Sequence, residues 1–433
     1  MNEAVRFRVA FWILIVWMTA TVMMGKEVDL ATVVIASFHI SHTQVALLIL
    51  LGLTVSSWRD FLLVKGLHGL PVFYFTYLLL GLYAIALGYF NGSTLKYVLG
   101  SAGIFYYSLF FYIAFVLVNS DSRRHIFLSA LFYSWLIGAL IFIAYFAIHQ
   151  NGNLPFGYRN SSDLLPMLAG CLFVLMVGII LVKYKLTGSV YIGLFALFFV
   201  FMMKTKSVTF STILIVTYLV FNKYLHHRKA REKPNLEQKL GALILLLALT
   251  GLFVFTLTIL DVDTLDGYVR LLPISDREQF SLLIRLYMWK DILMQIIAGP
   301  IWGHGLVPFD SELIAHRVLN VAEWSKNANP HNSYLILAYY VGWAGLFLFL
   351  MFLRSVHYVI YGQILGKWSG TAIAIYMSGG VFLLAAMSTP VFEEPWLAPF
   401  MWALMGVACR QSIAGQNNLA SATDLPLPKE AWK

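Results

Sequence analysis

Apolar runs of about 20 residues recur along the whole chain, separated by short polar stretches. A helix of that length crosses the hydrocarbon core of a bilayer, which is about 30 Å thick. The pattern therefore predicts an all-α integral membrane protein with about twelve transmembrane helices. These helices are predicted at approximately residues 9–25, 36–57, 70–90, 98–118, 126–148, 164–182, 188–203, 208–222, 240–260, 333–353, 369–388 and 395–409.

The first two apolar runs contain features that bear on their assignment. No small-residue cleavage site follows the run from Val9 to Met24, so it is predicted to be a first anchor and not a removed signal. The second run is interrupted near its start by His39, His42 and Gln44, which makes its boundary the least regular of the twelve. The sequence shows no internal repeat and no separate soluble domain.

The composition agrees with lipid as the solvent of this chain. It is 60% hydrophobic and 12% charged, with a mean hydropathy of +0.77, whereas soluble domains carry about 25% charged residues. Both cysteines, Cys171 and Cys409, lie inside apolar runs. They form no disulfide framework and have no metal-ligand spacing.

Most Lys and Arg fall on one side of the predicted membrane, which indicates the orientation of the chain. With the N-terminus in the cytoplasm, the basic run 226–231 and the C-terminal tail also lie inside. The predicted cytoplasmic set is Arg6, Arg8, Arg59, Lys65, Arg123, Arg124, Lys183, Lys185, the cluster from Lys223 to Lys239, Arg354, Lys367, Arg410, Lys429 and Lys433. The pattern predicts an N-in/C-in protein of the bacterial inner membrane. Orientation thus accounts for the net charge of +9 without nucleic acid as a partner.

One long connection interrupts the short loops. Residues 261–331 form a predicted periplasmic loop between spans nine and ten, and loops of that length are usually functional. Its middle, residues 281–298, repeats apolar residues at three- and four-residue spacing, which predicts an amphipathic helix at the outer interface. Gly299 and Pro300 end that helix. The predicted division is a membrane domain at 1–260, the loop at 261–331, a second membrane domain at 332–410 and a cytoplasmic tail at 411–433.

Several cationic residues remain on the predicted outer face, against the positive-inside bias. They come from separate chain segments that all end at the outer side of helices, so packing could bring them together in one cationic pocket. The candidates for binding an anionic group there are Arg159, Lys204, Lys206, Arg270 and Arg285. Arginine carries a planar fork of donors that matches phosphate oxygens, so the expected partner is a phosphate compound.

Not every outer cation needs a ligand, because a single Lys or Arg near headgroups commonly anchors a helix. Arg277, Lys290, Arg317 and Lys326 are interpreted in this way. Arg285 differs, since it shares a face of the amphipathic helix with the apolar residues Leu282, Trp289 and Leu293, and a charge there must find a partner or a pocket. Trp289 is predicted to support the site.

His331 opens span ten. Pro330 restricts the backbone before it, and Asn332 and Ser333 are residues that favour a helix start. His331 is therefore predicted to lie near water at a helix mouth, either as a cap or interface residue or as a general base, a role for which its neutral-range pKa is suited. Asn332 caps the helix or orients the imidazole or the substrate.

A synthetic reaction on the outer face has no ATP and needs a substrate with its own leaving group. A lipid-linked diphosphate supplies one, and glycan transfer from it needs cations for the diphosphate and a base for the acceptor hydroxyl. The sequence has no glycosidase-type carboxylate pair that we can identify, no metal motif, and no nucleotide-binding glycine motif. Asp261 and Asp263 come nearest to a metal pair. The prediction is a reaction without metal or cofactor.

The stretches RLYMWKDILMQIIAGPIWGHGLVPF (285–309) and NPHNSYLILAYYVGWAGLFLFL (329–350) resemble the signature region of the O-antigen ligase and polymerase superfamily. The shared features are an Arg-then-Trp helix, a Gly-x-Gly turn, and His-Asn opening a span with Gly-x-x-Gly. The glycines concerned are Gly303, Gly305, Gly342 and Gly345. The stretch before span six, PFGYRNSSDLLPMLAG, resembles the family as well, and the strong likeness covers roughly residues 280–350.

The resemblance implies a glycosyltransferase that moves a glycan from undecaprenyl diphosphate to an acceptor glycan or to lipid A–core, without a metal. By that likeness Arg285 binds the diphosphate and His331 activates the acceptor hydroxyl. The family commonly has an Arg in the turn between its middle spans, whereas this chain has Lys204 and Lys206 there. Arg159 is therefore a candidate to share the grip on the diphosphate. With one base and no second nucleophile, the transfer is predicted to invert the anomeric centre.

Three alternatives stay open at the level of sequence. The chain is a polymerase or a ligase, because both use the same donor and the acceptor site has no clear pattern. A transporter or flippase of a lipid-linked or anionic substrate is a second class, although such proteins place charges near the bilayer midplane and often contain repeats. A peptidoglycan-type glycan polymerase is the third, with a carboxylate base among Asp276, Asp291 and Glu323.

Overall fold

The computed structural model describes residues 2–24, 33–35, 38–64, 67, 69–148, 161–183, 196, 206–229, 276–309, 331–361 and 370–423. In these ranges the regular secondary structure is helical apart from one short antiparallel pair of strands, β1 (Val33–Ile35) and β2 (Phe38–Ile40). The helices are α1 (Glu3–Met24), α2 (His42–Thr54), α3 (Trp58–Leu63), α4 (Leu70–Phe90), α5 (Leu95–Ser101), α6 (Gly103–Tyr106), α7 (Leu109–Leu117), α8 (Asp121–Ile148), α9 (Ser161–Lys183), α10 (Lys206–Lys229), α11 (Asp276–Ala298), α12 (Ser333–Tyr361), α13 (Gly370–Ala385) and α14 (Ala398–Thr423).

Four of these helices, α1, α4, α8 and α12, are long and apolar enough to cross a membrane. The bent series α5 to α7 makes a fifth if it is one span, and α2, α9, α10 and α13 contain shorter apolar helices. The described part of the chain is thus that of a helical membrane protein. The total of twelve spans, the N-in/C-in orientation and the periplasmic loop stay predictions. Predicted span seven, except Ala196, and span nine lie outside the described residues.

The predicted second span began too early. Residues 38–40 are extended in β2, and the helix starts only after Ser41. The Ser41 hydroxyl accepts a hydrogen bond from the Gln44 N–H at 3.3 Å, and the Gln44 side chain accepts one from the Ser41 N–H at 2.9 Å. This reciprocal capping box fixes the start of α2, so Gln44 marks a boundary and does not interrupt a span.

The predicted fourth span is not one straight helix. It is divided into α5, α6 and α7, with a bend of 42° before α7. Two tyrosines of α4 donate hydrogen bonds to backbone carbonyls on either side of the bend, and the second of these carbonyls also accepts from the Phe111 N–H at 2.9 Å. The Tyr77 hydroxyl donates to the Ile104 carbonyl at 2.6 Å, and the Tyr74 hydroxyl donates to the Ser108 carbonyl at 3.2 Å. A bend at membrane depth is tolerated when side chains satisfy the freed backbone groups in this way.

The core is held by close helix contacts and by aromatic packing. α13 packs against α9, α10 and α14, while α7 packs against α14 and α4 against α12. Gly406 brings α14 against the backbone of Phe111 on α7, where an added Cβ would lie 2.2 Å from the carbonyl oxygen. Trp402 of α14 stacks on Phe352 of α12 with ring centroids 5.5 Å apart. Small residues at helix contacts and interlocking rings are the usual means of packing helices in lipid.

α12, which is long enough to cross a bilayer, is interrupted at Gly342. Gly342 has φ 67° and ψ −175°, a conformation that only glycine adopts readily, and it interrupts the helical hydrogen-bond ladder. The segment 299–309, which we call the glycine-turn segment, fills the break. Its residues His304 and Gly305 donate their N–H groups to the carbonyls of Tyr339 and Tyr340, both at 3.0 Å.

The glycine-turn segment also binds α4. The Leu306 N–H donates to the Ala84 carbonyl at 2.9 Å, and the Asn91 side-chain amide donates to the His304 carbonyl at 2.8 Å. A Cβ on Gly342 would lie 2.0 Å from the Ile301 carbonyl oxygen, and one on Gly303 would lie 2.4 Å from the Gly342 nitrogen. The two glycines therefore permit a backbone-to-backbone contact that holds α4, the segment and α12 together.

The helix ends separate into two groups. At one end Arg6 of α1 donates to Ser56, which follows α2, and the Arg123 guanidinium of α8 lies 5.5 Å from the Phe11 ring centroid. Arg410 of α14 lies over Phe115 of α7 at the same end. These basic residues belong to the predicted cytoplasmic set. The start of α12, the end of α13 and the start of α14 form the other end, which contains the candidate site.

Candidate functional site

The structure brings Arg285 and His331 together. α11 packs against α12, and the two residues are close enough for the guanidinium charge to affect the imidazole. Burial lowers the pKa of His331 below its ordinary value of 6.5, and the charge of Arg285 lowers it further. The imidazole is therefore neutral at neutral pH, which is the form that accepts a proton.

The backbone at His331 turns sharply into α12. His331 has φ 52°, in the left-handed region that non-glycine residues seldom adopt. The side-chain oxygen of Asn332 then accepts hydrogen bonds from the N–H groups of Tyr334 and Leu335, both at 3.1 Å. Asn332 is thus the N-cap of α12, which is one of the two roles considered for it from sequence.

α11 supports the site from the adjacent side. Trp289, predicted as a supporting residue, is buried, as are Ile292 and Leu293. Two outward side chains of this helix, Met294 and Ile297, are apolar and about half exposed, at 48% and 56%. The apolar surface continues into the glycine-turn segment at Ile301 and Trp302, and such a surface is suited to contact with lipid.

The start of α10 reaches the same end of the molecule. Ser207 and Thr389, which lies in the turn after α13, have their hydroxyl oxygens 3.4 Å apart. The Ser333 hydroxyl lies 3.4 Å from the Thr389 carbonyl oxygen. Thr389 therefore connects the first turns of α10 and α12, and Lys206 precedes Ser207 in the sequence. Three predicted diphosphate-binding residues, Arg159, Lys204 and Arg270, lie outside the described residues.

Glu393 is a site residue that the sequence interpretation missed. It lies in the turn between α13 and α14, where its Oε2 accepts a hydrogen bond from the Ser333 hydroxyl at 2.7 Å. Burial raises the pKa of Glu393 to about 7, and the hydrogen bond from Ser333 opposes that rise. The available signal was the acidic pair Glu393-Glu394 in a short loop between two apolar runs, since charges placed so close to the membrane are costly.

The arrangement supplies a neutral imidazole, a guanidinium close enough to influence it, and a partly buried acid that is hydrogen-bonded to the first residue of α12. An imidazole of this kind can accept a proton, and a guanidinium can bind an anion. Among the described residues there is no group of three or more His, Cys, Asp or Glu that could hold a metal ion. No protein-family model matches this chain, and no curated protein matches it.

Proposed function

We propose that this protein transfers a glycan from undecaprenyl diphosphate to an acceptor glycan or to lipid A–core, as a surface-polysaccharide polymerase or ligase. In this proposal the reaction takes place at the periplasmic face of the inner membrane. Arg285 binds the diphosphate, with Arg159, Lys204, Lys206 and Arg270 as further candidates. His331 takes the proton from the acceptor hydroxyl.

The observation that carries the proposal is the proximity of Arg285 to His331 at a helix mouth. A donor diphosphate bound by Arg285 would place its anomeric carbon near the imidazole, which the same arginine helps to keep neutral. Diphosphate leaves without protonation, so one base is sufficient for attack by the acceptor oxygen. Attack opposite to the leaving diphosphate inverts the anomeric centre, and retention of configuration in the product would contradict this mechanism.

The test uses purified protein in liposomes with an undecaprenyl-diphosphate oligosaccharide, with and without lipid A–core. Longer glycans formed from the donor alone identify a polymerase. Transfer that requires lipid A–core identifies a ligase. Absence of transfer by well-folded protein in both reactions contradicts the proposal.

Replacement of the candidate bases distinguishes this mechanism from that of a peptidoglycan-type polymerase. Asp291 lies half-buried on α11, while the side chain of Asp276 and all of Glu323 lie outside the described residues. His331→Ala should abolish transfer, whereas Asp276→Asn, Asp291→Asn and Glu323→Gln should retain it. Retained transfer in His331→Ala, with loss in one of the acid variants, would assign the base to that acid.

A transporter or flippase is the second candidate, and one observation favours it. Broken helices line the substrate sites of many transporters, and α12 is broken at Gly342. In this chain, however, the glycine-turn segment already binds backbone groups on both sides of the break. Movement of labelled donor lipid between leaflets of the same liposomes, without glycan transfer, would support transport.

A further inference from the structure

Ser333 is attached to the turn between α13 and α14 by several hydrogen bonds. Its N–H donates to the Ala386 carbonyl at 2.9 Å, and its hydroxyl donates to Glu393 Oε2 at 2.7 Å. The same hydroxyl oxygen accepts from the Phe392 N–H at 3.1 Å. Donation to the carboxylate orients the hydroxyl so that its lone pairs face Phe392. The carboxylate of Glu393 thus completes a clamp on the first residue of α12.

We propose that Glu393 is a positioning residue for His331 and acts through Ser333 and the first turn of α12. His331 is two residues before Ser333, and Asn332 between them is fixed by its cap hydrogen bonds. His331 has a left-handed backbone conformation directly before that first turn, so a shift of the turn also moves the imidazole. The inference rests on the proposed function, because it assigns His331 as the base to be positioned.

The surroundings of Glu393 make its ionised form costly. Its Oε1 atom is buried and has no hydrogen-bond partner among the residues that the structure describes. Within the described ranges, the ionisable groups near it are the hydroxyls of Tyr77 on α4 and Tyr340 on α12, together with Glu394 beside it in the turn. A buried carboxylate with one unpartnered oxygen is costly, and such groups concentrate at functional sites.

The ionisation state of Glu393 should therefore change the strength of the clamp. An ionised carboxylate makes a charge-assisted hydrogen bond with Ser333, which is roughly twice as strong as a neutral one. Burial raises the pKa of Glu393 to about 7, so the clamp is strong above that pH and weaker below it. The site then tightens as the pH rises through the neutral range.

The first test measures the position of His331 without relying on catalysis. The full-length protein in liposomes is treated with diethyl pyrocarbonate between pH 5 and 9, and modification of the peptide containing His331 is followed by mass spectrometry. In the parent, the rate should show a transition near pH 7 in addition to the titration of His331 itself. Glu393→Gln should lack that transition. At pH 8 its His331 should be modified roughly fivefold faster, which is the ratio expected when the Ser333 clamp loses about 1 kcal/mol of hydrogen-bond free energy. Glu394→Gln, the neighbouring acid, should behave as the parent does.

The second test uses glycan transfer. Glu393→Gln and Ser333→Ala should each lower kcat about tenfold and leave the KM for the donor lipid unchanged, because Arg285 is intact. The double variant should be no slower than the slower single variant, since both changes remove one clamp. Ser333→Ala retains the Asn332 cap, so it provides the same comparison if Glu393→Gln does not fold.

The two tests separate the failure of each idea. If the parent transfers no glycan but the reactivity of His331 changes in Glu393→Gln and not in Glu394→Gln, the clamp is supported and the proposed function is wrong. If transfer occurs, but Glu393→Gln and Glu394→Gln have the same pH profile and the same His331 reactivity, the positioning role of Glu393 is wrong.

Discussion

α12 is attached to its neighbours at two places that use different chemistry. Its start is held by side chains, because Ser333 donates a hydrogen bond to Glu393 and Asn332 accepts from the N–H groups of Tyr334 and Leu335. Its break at Gly342 is held by backbone N–H and carbonyl groups of the glycine-turn segment. Backbone groups do not titrate in the physiological range, whereas the pKa of Glu393 is about 7. The break is thus a fixed support, and the start of the same helix can respond to pH.

The largest effect should follow from filling the break. Gly342→Ala would place a Cβ 2.0 Å from the Ile301 carbonyl oxygen in a backbone conformation that alanine avoids. We expect a loss of about 4 kcal/mol or more and little folded protein on size-exclusion chromatography. Gly52→Ala on α2 is the control, because its added Cβ meets no atom within 4 Å in the described part of the chain other than its own helix backbone and chain neighbours. Normal folding of Gly342→Ala would show that the break tolerates a side chain.

Removing the predicted base tests the start of α12 directly. His331→Ala should lower glycan transfer by about 10²- to 10⁴-fold, which is the usual contribution of general base catalysis. The measurement is the initial rate in liposomes at matched protein levels. His125→Ala changes an exposed histidine at the opposite end of the helices and should leave the rate unchanged. A rate within threefold of the parent would exclude His331 as the base.

Protonation of Glu393 should appear in the stability of the folded protein. The folded-state pKa of about 7 is above the ordinary value of 4.5, so the folded state binds this proton more tightly. The contribution of this proton to the free energy of unfolding is therefore complete below about pH 4.5 and is lost as the pH rises to about 7, a change of about 3 kcal/mol at about 1.4 kcal/mol per unit. Desolvation of the ionised carboxylate outweighs its stronger hydrogen bond with Ser333, so the protein loses stability over the pH range in which that one hydrogen bond strengthens.

Thermal unfolding in detergent at pH 5 and pH 8 measures this contribution. Between these pH values, the apparent Tm of the parent should fall about 3 °C further than that of Glu393→Gln. Glu394→Gln should keep the pH dependence of the parent. An identical pH dependence in the parent and in Glu393→Gln would contradict the raised pKa.

Arg285 should affect both donor binding and the ionisation of His331. Arg285→Gln should weaken binding of the donor lipid by about tenfold or more, because it removes charge-assisted hydrogen bonds. Loss of the nearby positive charge also raises the pKa of His331. The acid limb of the kcat/KM profile should consequently move to higher pH.

Lys290→Gln is the matched control for Arg285→Gln. It removes a cation from the same helix at a position interpreted as a headgroup anchor. It should change neither donor affinity nor the acid limb. If both variants bind donor as the parent does, Arg285 does not hold the diphosphate.

The smallest effect should come from the cap. Asn332→Ala removes the acceptor for the N–H groups of Tyr334 and Leu335 and should cost about 1 kcal/mol of stability. Asn332→Asp keeps an acceptor and should restore most of the loss. If Asn332→Ala lowers glycan transfer much more than it lowers stability, and Asn332→Asp does not restore transfer, then Asn332 also orients the imidazole or the substrate.

Sequence patterns predicted individual helices well where local signals were complete. The span predicted at 70–90 coincides with α4, Leu70–Phe90, which follows Gly69 and has Pro71 in its first turn. The same approach missed the break at Gly342, because a glycine in an apolar run is compatible with a continuous helix. The break depends on the glycine-turn segment, whose approach is a tertiary interaction.

The candidate site shows the same distinction. The spacing around His331 correctly predicted a helix start, and the structure places Arg285 near it, while the catalytic and binding roles of both residues stay predictions. Glu393 was missed because its significance depends on Ser333, which is 60 residues away in the sequence. An acidic pair in a loop does not reveal which partner it will bind after folding.

The break in α12 also has a consequence for membrane insertion. The segment that completes it, residues 299–309, is synthesised before α12, and the Ala84 carbonyl that binds Leu306 is synthesised earlier still. Were α12 to enter lipid alone, the backbone groups around Gly342 would meet hydrocarbon without hydrogen-bond partners. The order of synthesis makes α4 and the glycine-turn segment available before the break emerges from the ribosome. A chain in which residues 276–309 were transposed to follow α12 would have to insert this helix without its support.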